Sequence, residues 1–401
     1  MSLRLITTLI LLVIGSACSK RAPKPELRGA WIASVKNIDW PSRTGLPADA
    51  QRAEYRALLD EARRIGLNAV FVQVRPTADA LYASPYEPWS LWLTGTQGQD
   101  PGYDVLGFLV EEAHARNLEF HAWFNPYRVT KEKGIDELDA NHPARVHPDW
   151  VRTYGGQLYF DPGVPDVRAH IQAVIMDVVA KYDIDGVHFD DYFYPYPIEN
   201  EEFGDDDTYR RYGTGFADKG DWRRDNVNVL IAKLGTAIHA AKPWVRFGVS
   251  PFAIWRNMSS DPSGSATNAF EAYSKIYADS RAWIKHGWID YVVPQVYFPI
   301  GHPVAPYDVL VAWWAREVAG TSVDLYVGQG TFQIGNKGWT DPNEMLRHLE
   351  FNHTHDGVAG DVYFSMTKLR DNPLGTTELL RSGPYASPAV LPTRGPRRRH
   401  R

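Results

Sequence analysis

Eight times along this chain a short run rich in Val, Ile, Phe and Tyr is followed by an amphipathic helical pattern. No other feature constrains the fold as much. The pattern predicts strands at 27–35, 68–75, 119–125, 186–191, 246–251, 291–297, 324–330 and 361–366. It predicts helices between them at 50–65, 105–117, 165–182, 225–241, 273–286, 307–319 and 342–352, with a last short piece at 376–381. Strands joined by helical crossovers form either an open doubly wound sheet or a closed barrel. No glycine-rich nucleotide turn follows the first strand, and Gly328-x-Gly330 lacks a third glycine. The predicted fold is therefore α/β, a (β/α)8 TIM barrel with long βα-loop insertions.

Loop lengths point the same way. Helix-to-strand connections are brief, at 66–67, 118 and 183–185, whereas strand-to-helix connections run over 36–49, 76–104, 126–164 and 192–224. In a TIM barrel the longer set forms the face that carries the active site.

Period-two alternation then sorts each strand into a helix-facing and a lumen-facing set. Val70, Val72, Val74, Phe120, Ala122, Phe124, Val187, Phe189, Val249 and Val296 fall outward. Successive strands then end in an inward polar residue: Arg75, Asn125, Asp190, Ser250 and Gln295. Buried polar groups are costly without partners, so such a ring reads as a site. Asp190 is the expected nucleophile or base, and Asp191 a second acid or an orienter if the loop bends it back. Glycosidases need two carboxyl groups about 5–10 Å apart, and the fifth and seventh strands end without a glutamate. Asp79, Glu87, Asp161, Glu201 and Glu202 are the loop acids available. Arg75, Asp79, Asn125, Tyr127, His188, Tyr192, Ser250, Gln295 and Tyr297 are the candidate substrate-binding residues. Trp31 is either a stacking surface or core.

Composition narrows the class. A chain of 401 residues with 44% hydrophobic and 13% aromatic content has ample core and is not disordered overall. Its net charge of −5, from 43 Lys+Arg against 48 Asp+Glu, provides no field for a nucleic-acid backbone, so none is expected as partner. A single cysteine excludes a disulfide framework and a Cys-based zinc site. No cofactor and no metal are expected. His188 lies a layer below Asp190, which argues against a metal held by those two and Asp191. Gly248-Val-Ser250 lacks the second glycine of a nucleophile elbow. The 14 Trp and 21 Tyr suit a sugar cleft as well as a large core.

The ends carry their own signals. Residues 1–18 have a basic start at Arg4, an apolar run over 5–14 and small residues before Cys18, a secretory signal ending in a lipobox. Lipidation of Cys18 would anchor the chain to a membrane on the periplasmic side of a bacterial envelope, at the outer membrane if one is present. Residues 19–26 read as a tether, 27–385 as a single barrel domain and 386–401 as a Pro- and Arg-rich tail.

Several motifs together resemble the bacterial glycosyl-hydrolase-like barrels related to family 10 glycosidases. They are Leu27–Ile32 (LRGAWI), Phe71–Asp79 (FVQVRPTAD), Glu87–Ser90 (EPWS), His121–Arg128 (HAWFNPYR), Tyr159–Gly163 (YFDPG), Asp185–Pro195, Gly248–Phe252 and Pro294–Tyr297. The resemblance implies an envelope glycoside hydrolase whose polysaccharide partner is peptidoglycan stripped of its stem peptides, with possible division-machinery contacts. The alternatives are a glycan-binding lipoprotein without catalysis and a metal-dependent polysaccharide deacetylase.

Overall fold

The structure, a computed structural model, describes residues 25–132 and 134–392. The signal segment, Cys18, most of the tether and the Arg397–Arg401 run lie outside the described residues. Eight parallel strands close into a barrel: β1 (Leu27–Ile32), β2 (Ala69–Arg75), β3 (Glu119–Phe124), β4 (Gly186–Phe189), β5 (Arg246–Val249), β6 (Tyr291–Val292), β7 (Asp324–Gln329) and β8 (Val358–Tyr363). Each pairs with its sequence neighbours and β8 returns to β1, as right-handed crossovers dictate. The main outer helices are α1 (Ala48–Ile65), α2 (Val105–Ala115), α3 (Pro165–Lys181), α4 (Lys219–Ala241), α5 (Ser280–Lys285), α6 (Tyr307–Val318) and α7 (Glu344–His353). Among the described residues, no helix is long and apolar enough to cross a membrane.

The alternation read from sequence separates two cores. Val70, Val72, Phe120, Ala122, Val187, Phe189 and Val249 join the cluster between strands and helices. Trp31, Phe71, Trp123, Tyr291, Tyr326 and Val362 fill the lumen. Large rings need small neighbours there. A Cβ on Gly186 would lie 2.2 Å from His121 Nδ1, and one on Gly248 would lie 2.2 Å from the Tyr291 ring. The lumen is a packed plug, and open space begins only above it.

Elements differ from expectation where local chemistry intervenes. β6 stops at Val292 because Pro294 has no N–H for the ladder, and bridging resumes at Gln295 with Gly328. The helix expected over 273–286 is broken into Ala272–Lys275 and α5, with Tyr277 between them at φ +56°. Its hydroxyl accepts from Arg223 Nη1 at 2.7 Å, which holds it there. α4 begins earlier than expected because Asp218 caps it, accepting from Asp221 N at 2.9 Å. The hairpin at Val151–Tyr154 and Gln157–Phe160, inside the loop after β3, went unread. At the N-terminal end, Glu26 N donates to Val390 O at 2.7 Å and Arg28 Nη1 to Ser387 O at 2.9 Å. The chain on both sides of the barrel domain is thereby stitched to its floor.

Candidate active site

A cleft of about 390 Å³ opens at the C-terminal ends of the strands. Asp190 sits one residue past β4 and is the one carboxylate lining it among the described residues. Its oxygens accept from Gln295 Nε2 at 3.1 Å, Asn125 Nδ2 at 3.3 Å and the Asp191 backbone N–H at 2.9 Å. Three N–H donors fix the orientation of its carboxylate.

The Asp190 cradle is itself locked. Asn125 Oδ1 accepts from Gln73 Nε2 at 2.5 Å and Arg128 Nη2 at 3.0 Å, and Gln73 Oε1 accepts from the backbone of Ser34 and Val35. Gln295 Nε2 also donates to Ser250 O at 3.0 Å. Asn125 is wholly buried and lies outside the cleft lining, and it holds Asp190 from there.

The loop does bend Asp191 back. Its buried carboxyl lies within hydrogen-bonding reach of Asp190 and accepts from the Tyr196 hydroxyl. Burial first, and then the Asp190 charge, push Asp191 well above the usual carboxyl range. Asp190 faces the cleft, and the raised Asp191 carboxyl stands behind it. They are too close for the two-carboxyl spacing of about 5–10 Å.

Aromatic rings build the walls. Trp31, Trp123, Tyr192, Tyr297, Phe332 and Phe364 all line the cleft. Trp31 donates its indole N–H to His188 Nε2 at 3.1 Å, while the indole N–H of Trp123 has no partner among the described residues. His188 is fully buried between Trp31, Ser250 and Tyr291. Burial, and then His121, hold it well below the usual histidine range, so it is a neutral support under the floor.

Other expected residues lie elsewhere. Arg75 is turned out of the lumen because the β2–β3 register shifts between Gln73 and Arg75, a bulge that sets Arg75 opposite the outward Phe124. There it binds Glu87 through two hydrogen bonds of 2.7 and 2.5 Å, and His170 Nε2 meets the same carboxylate at 3.0 Å. Burial raises the Glu87 carboxyl, but the Arg75 charge and the hydrogen bonds outweigh it and bring it down to about 2. Asp79 is sealed in the loop after β2 among Thr77, Gln97 and Leu91 N, and burial pushes it up to about 6. Tyr127 is buried in the outer core instead of stacking in the cleft. Asp161 pairs with Arg152 at 2.9 Å, and Glu201 and Glu202 line a separate depression.

Sequence reasoning missed Lys36, Arg128 and Lys131, which reach the cleft from the loops after β1 and β3. Arg128 lay in the 121–128 motif and was the one available signal. Among the described residues, no group of three or more His, Cys, Asp or Glu could hold a metal.

A closed eight-stranded parallel barrel with a cradled carboxylate at its C-terminal mouth has the architecture of the TIM-barrel glycoside hydrolases. The chain belongs to the glycosyl hydrolase-like 10 family, whose model matches residues 26–345. It is 52% identical over 373 residues to the glycosyl hydrolase YngK of Bacillus subtilis, spanning 92% of this chain and 73% of that one. It is 41% identical over 372 residues to the glycosyl hydrolase DigH of Escherichia coli K12, spanning 87% and 84%. Among solved structures, the PgaB (BpsB) glycoside hydrolase domain of Bordetella bronchiseptica matches with TM-score 0.59 at 14% identity, over 89% of this chain and 98% of that one. The α-L-fucosidase isoenzyme 2 of Paenibacillus thiaminolyticus matches with TM-score 0.55 at 15% identity, over 90% of this chain but only 49% of the fucosidase. At such identities these two speak to the fold alone.

Proposed function

We propose that the protein hydrolyses β-glycosidic bonds in a polysaccharide, with peptidoglycan strands freed of their stem peptides as substrate. Lipidated at Cys18, it would work on the periplasmic side of a bacterial envelope. The observation that carries the reading is Asp190, an accessible carboxylate held by three N–H donors and backed by the buried Asp191.

With one carboxylate facing the cleft, the mechanism that fits is assistance by an N-acetylated sugar. The acetamido oxygen attacks the anomeric carbon as the glycosidic C–O bond breaks. The proton held on the raised Asp191 carboxyl passes through Asp190 to the leaving oxygen. Water then attacks the same carbon, opens the oxazolinium ring and returns a proton to Asp190. The Trp31 and Tyr192 rings offer apolar faces to the sugar.

The test is incubation of purified, lipid-free protein with intact and amidase-stripped strands, beside Asp190→Asn, with products read by mass spectrometry. New reducing ends from stripped strands are expected. Anhydro ends would indicate a lytic transglycosylase instead. Strand retention without cleavage would favour a glycan-binding protein, a reading the lone cleft carboxylate also suits.

A further inference from the structure

Among the described residues four arginines are buried, Arg28, Arg75, Arg128 and Arg223. Three are matched by a carboxylate within 2.8 Å: Glu26, Glu87 and Asp205. Arg128 is the exception. It is 5% exposed, and it donates to Pro76 O and Asn125 Oδ1, both uncharged. It has no carboxylate partner among the described residues, although it lines the cleft.

Beside it stands Lys131, half-buried in the same cleft and without a hydrogen bond or ion pair among the described residues. Lys36 completes the group at the rim, paired with Glu132. Burial, then the Arg128 and Lys36 charges, outweigh the pull of Asp190 and Glu132 and bring the Lys131 ammonium down to about 8, so three cations crowd one another. The lining carboxylate Asp190 is already engaged by three donors. A desolvated cation without a counter-ion is costly, and the other three buried arginines avoid it. An anion brought by the ligand would complete the arrangement.

We propose that Arg128 and Lys131, with Lys36 at the rim, form a carboxylate-recognition subsite, so that the glycan bound is one whose sugars carry free carboxylates. The proposal rests on the glycan-cleaving reading above and names what the same cleft selects. Two sources share this chemistry: the lactyl ether of a stripped strand and the ring carboxylate of a uronic acid. In a peptide-bearing strand the lactyl carboxyl is tied up as an amide and carries no charge.

Binding is measured by calorimetry on the Asp190→Asn protein, so the outcome does not depend on cleavage. The probes are stripped strands, the same strands with their carboxylates converted to methylamides, and a polyuronate. Neutralisation is expected to weaken binding at least about tenfold, the worth of one charge-assisted hydrogen bond. Adding Lys131→Met should cost about tenfold on the charged strands and less than about twofold on the neutralised ones, and Lys131→Arg should restore binding. Tight, Lys131-dependent binding of the polyuronate would support the subsite and assign it to uronic acids. Equal affinity for charged and neutral strands, equal losses on both, or no binding of any probe would overturn it. Failure of the unsubstituted protein to cleave while these differences persist would remove the hydrolase reading and leave the subsite standing.

Discussion

Two charged clusters flank the end of β2 and β3, and they have opposite designs. In one, Arg75, Glu87 and His170 close on one another, and the Arg75 and Glu87 side chains are 0% exposed. In the other, Arg128 and Lys131 stand near Asp190 in an open cleft with no carboxylate of their own. The closed cluster satisfies every charge internally and so has nothing to offer a ligand. The open one leaves charge unmatched where a ligand can reach it. Polar residue types alone do not distinguish them; completeness of partnering does.

The sharpest break in that comparison is Asp190→Asn. Turnover on stripped strands should fall about 10³-fold or more with the melting temperature unchanged, read by product release and thermal unfolding. Retained activity would remove Asp190 from the mechanism.

Glu87→Ala should do the reverse. Removing one partner of a buried pair costs about 3–5 kcal/mol of stability, visible in urea unfolding, while turnover of the remaining folded protein stays near normal. Because the folded Glu87 carboxyl is held near 2 against an ordinary 4.5, its contribution is present above pH 4.5 and lost as pH falls towards 2. The variant should accordingly show less acid-induced loss across that interval than the unsubstituted protein.

Asp191→Asn probes the proton of the raised carboxyl. Without it there is no proton to pass to the cleft, so turnover should fall roughly 10²-fold and the basic limb that Asp191 sets should be lost. An unchanged limb would mean that Asp191 only fixes the loop. Its raised carboxyl also means that folding stability declines as pH rises above the ordinary carboxyl range, a decline the asparagine should abolish.

The smallest effect on turnover is expected from Asp79→Asn, which should change it by less than about twofold because Asp79 lies outside the cleft. Its signature is in stability. With the folded carboxyl pushed up from 3.8 to about 6, stability is lost as pH rises through that window, and the variant should lack this loss.

Residue patterning along the chain predicts the barrel, its strand order, the division of side chains between lumen and helices, and the position of Asp190. All of these follow from period-two and period-3.6 patterning along a continuous segment, which is a local property. The remaining placements arise only in the folded barrel. A single register shift in β2 moved Arg75 out of the site, because one inserted residue reverses the face of everything after it. The turn after β4 brought Asp191 behind Asp190, although alternation had started them apart. Lys36 and Lys131 come from irregular loops that carry no period at all, and only the closure of the barrel places them beside the same carboxylate.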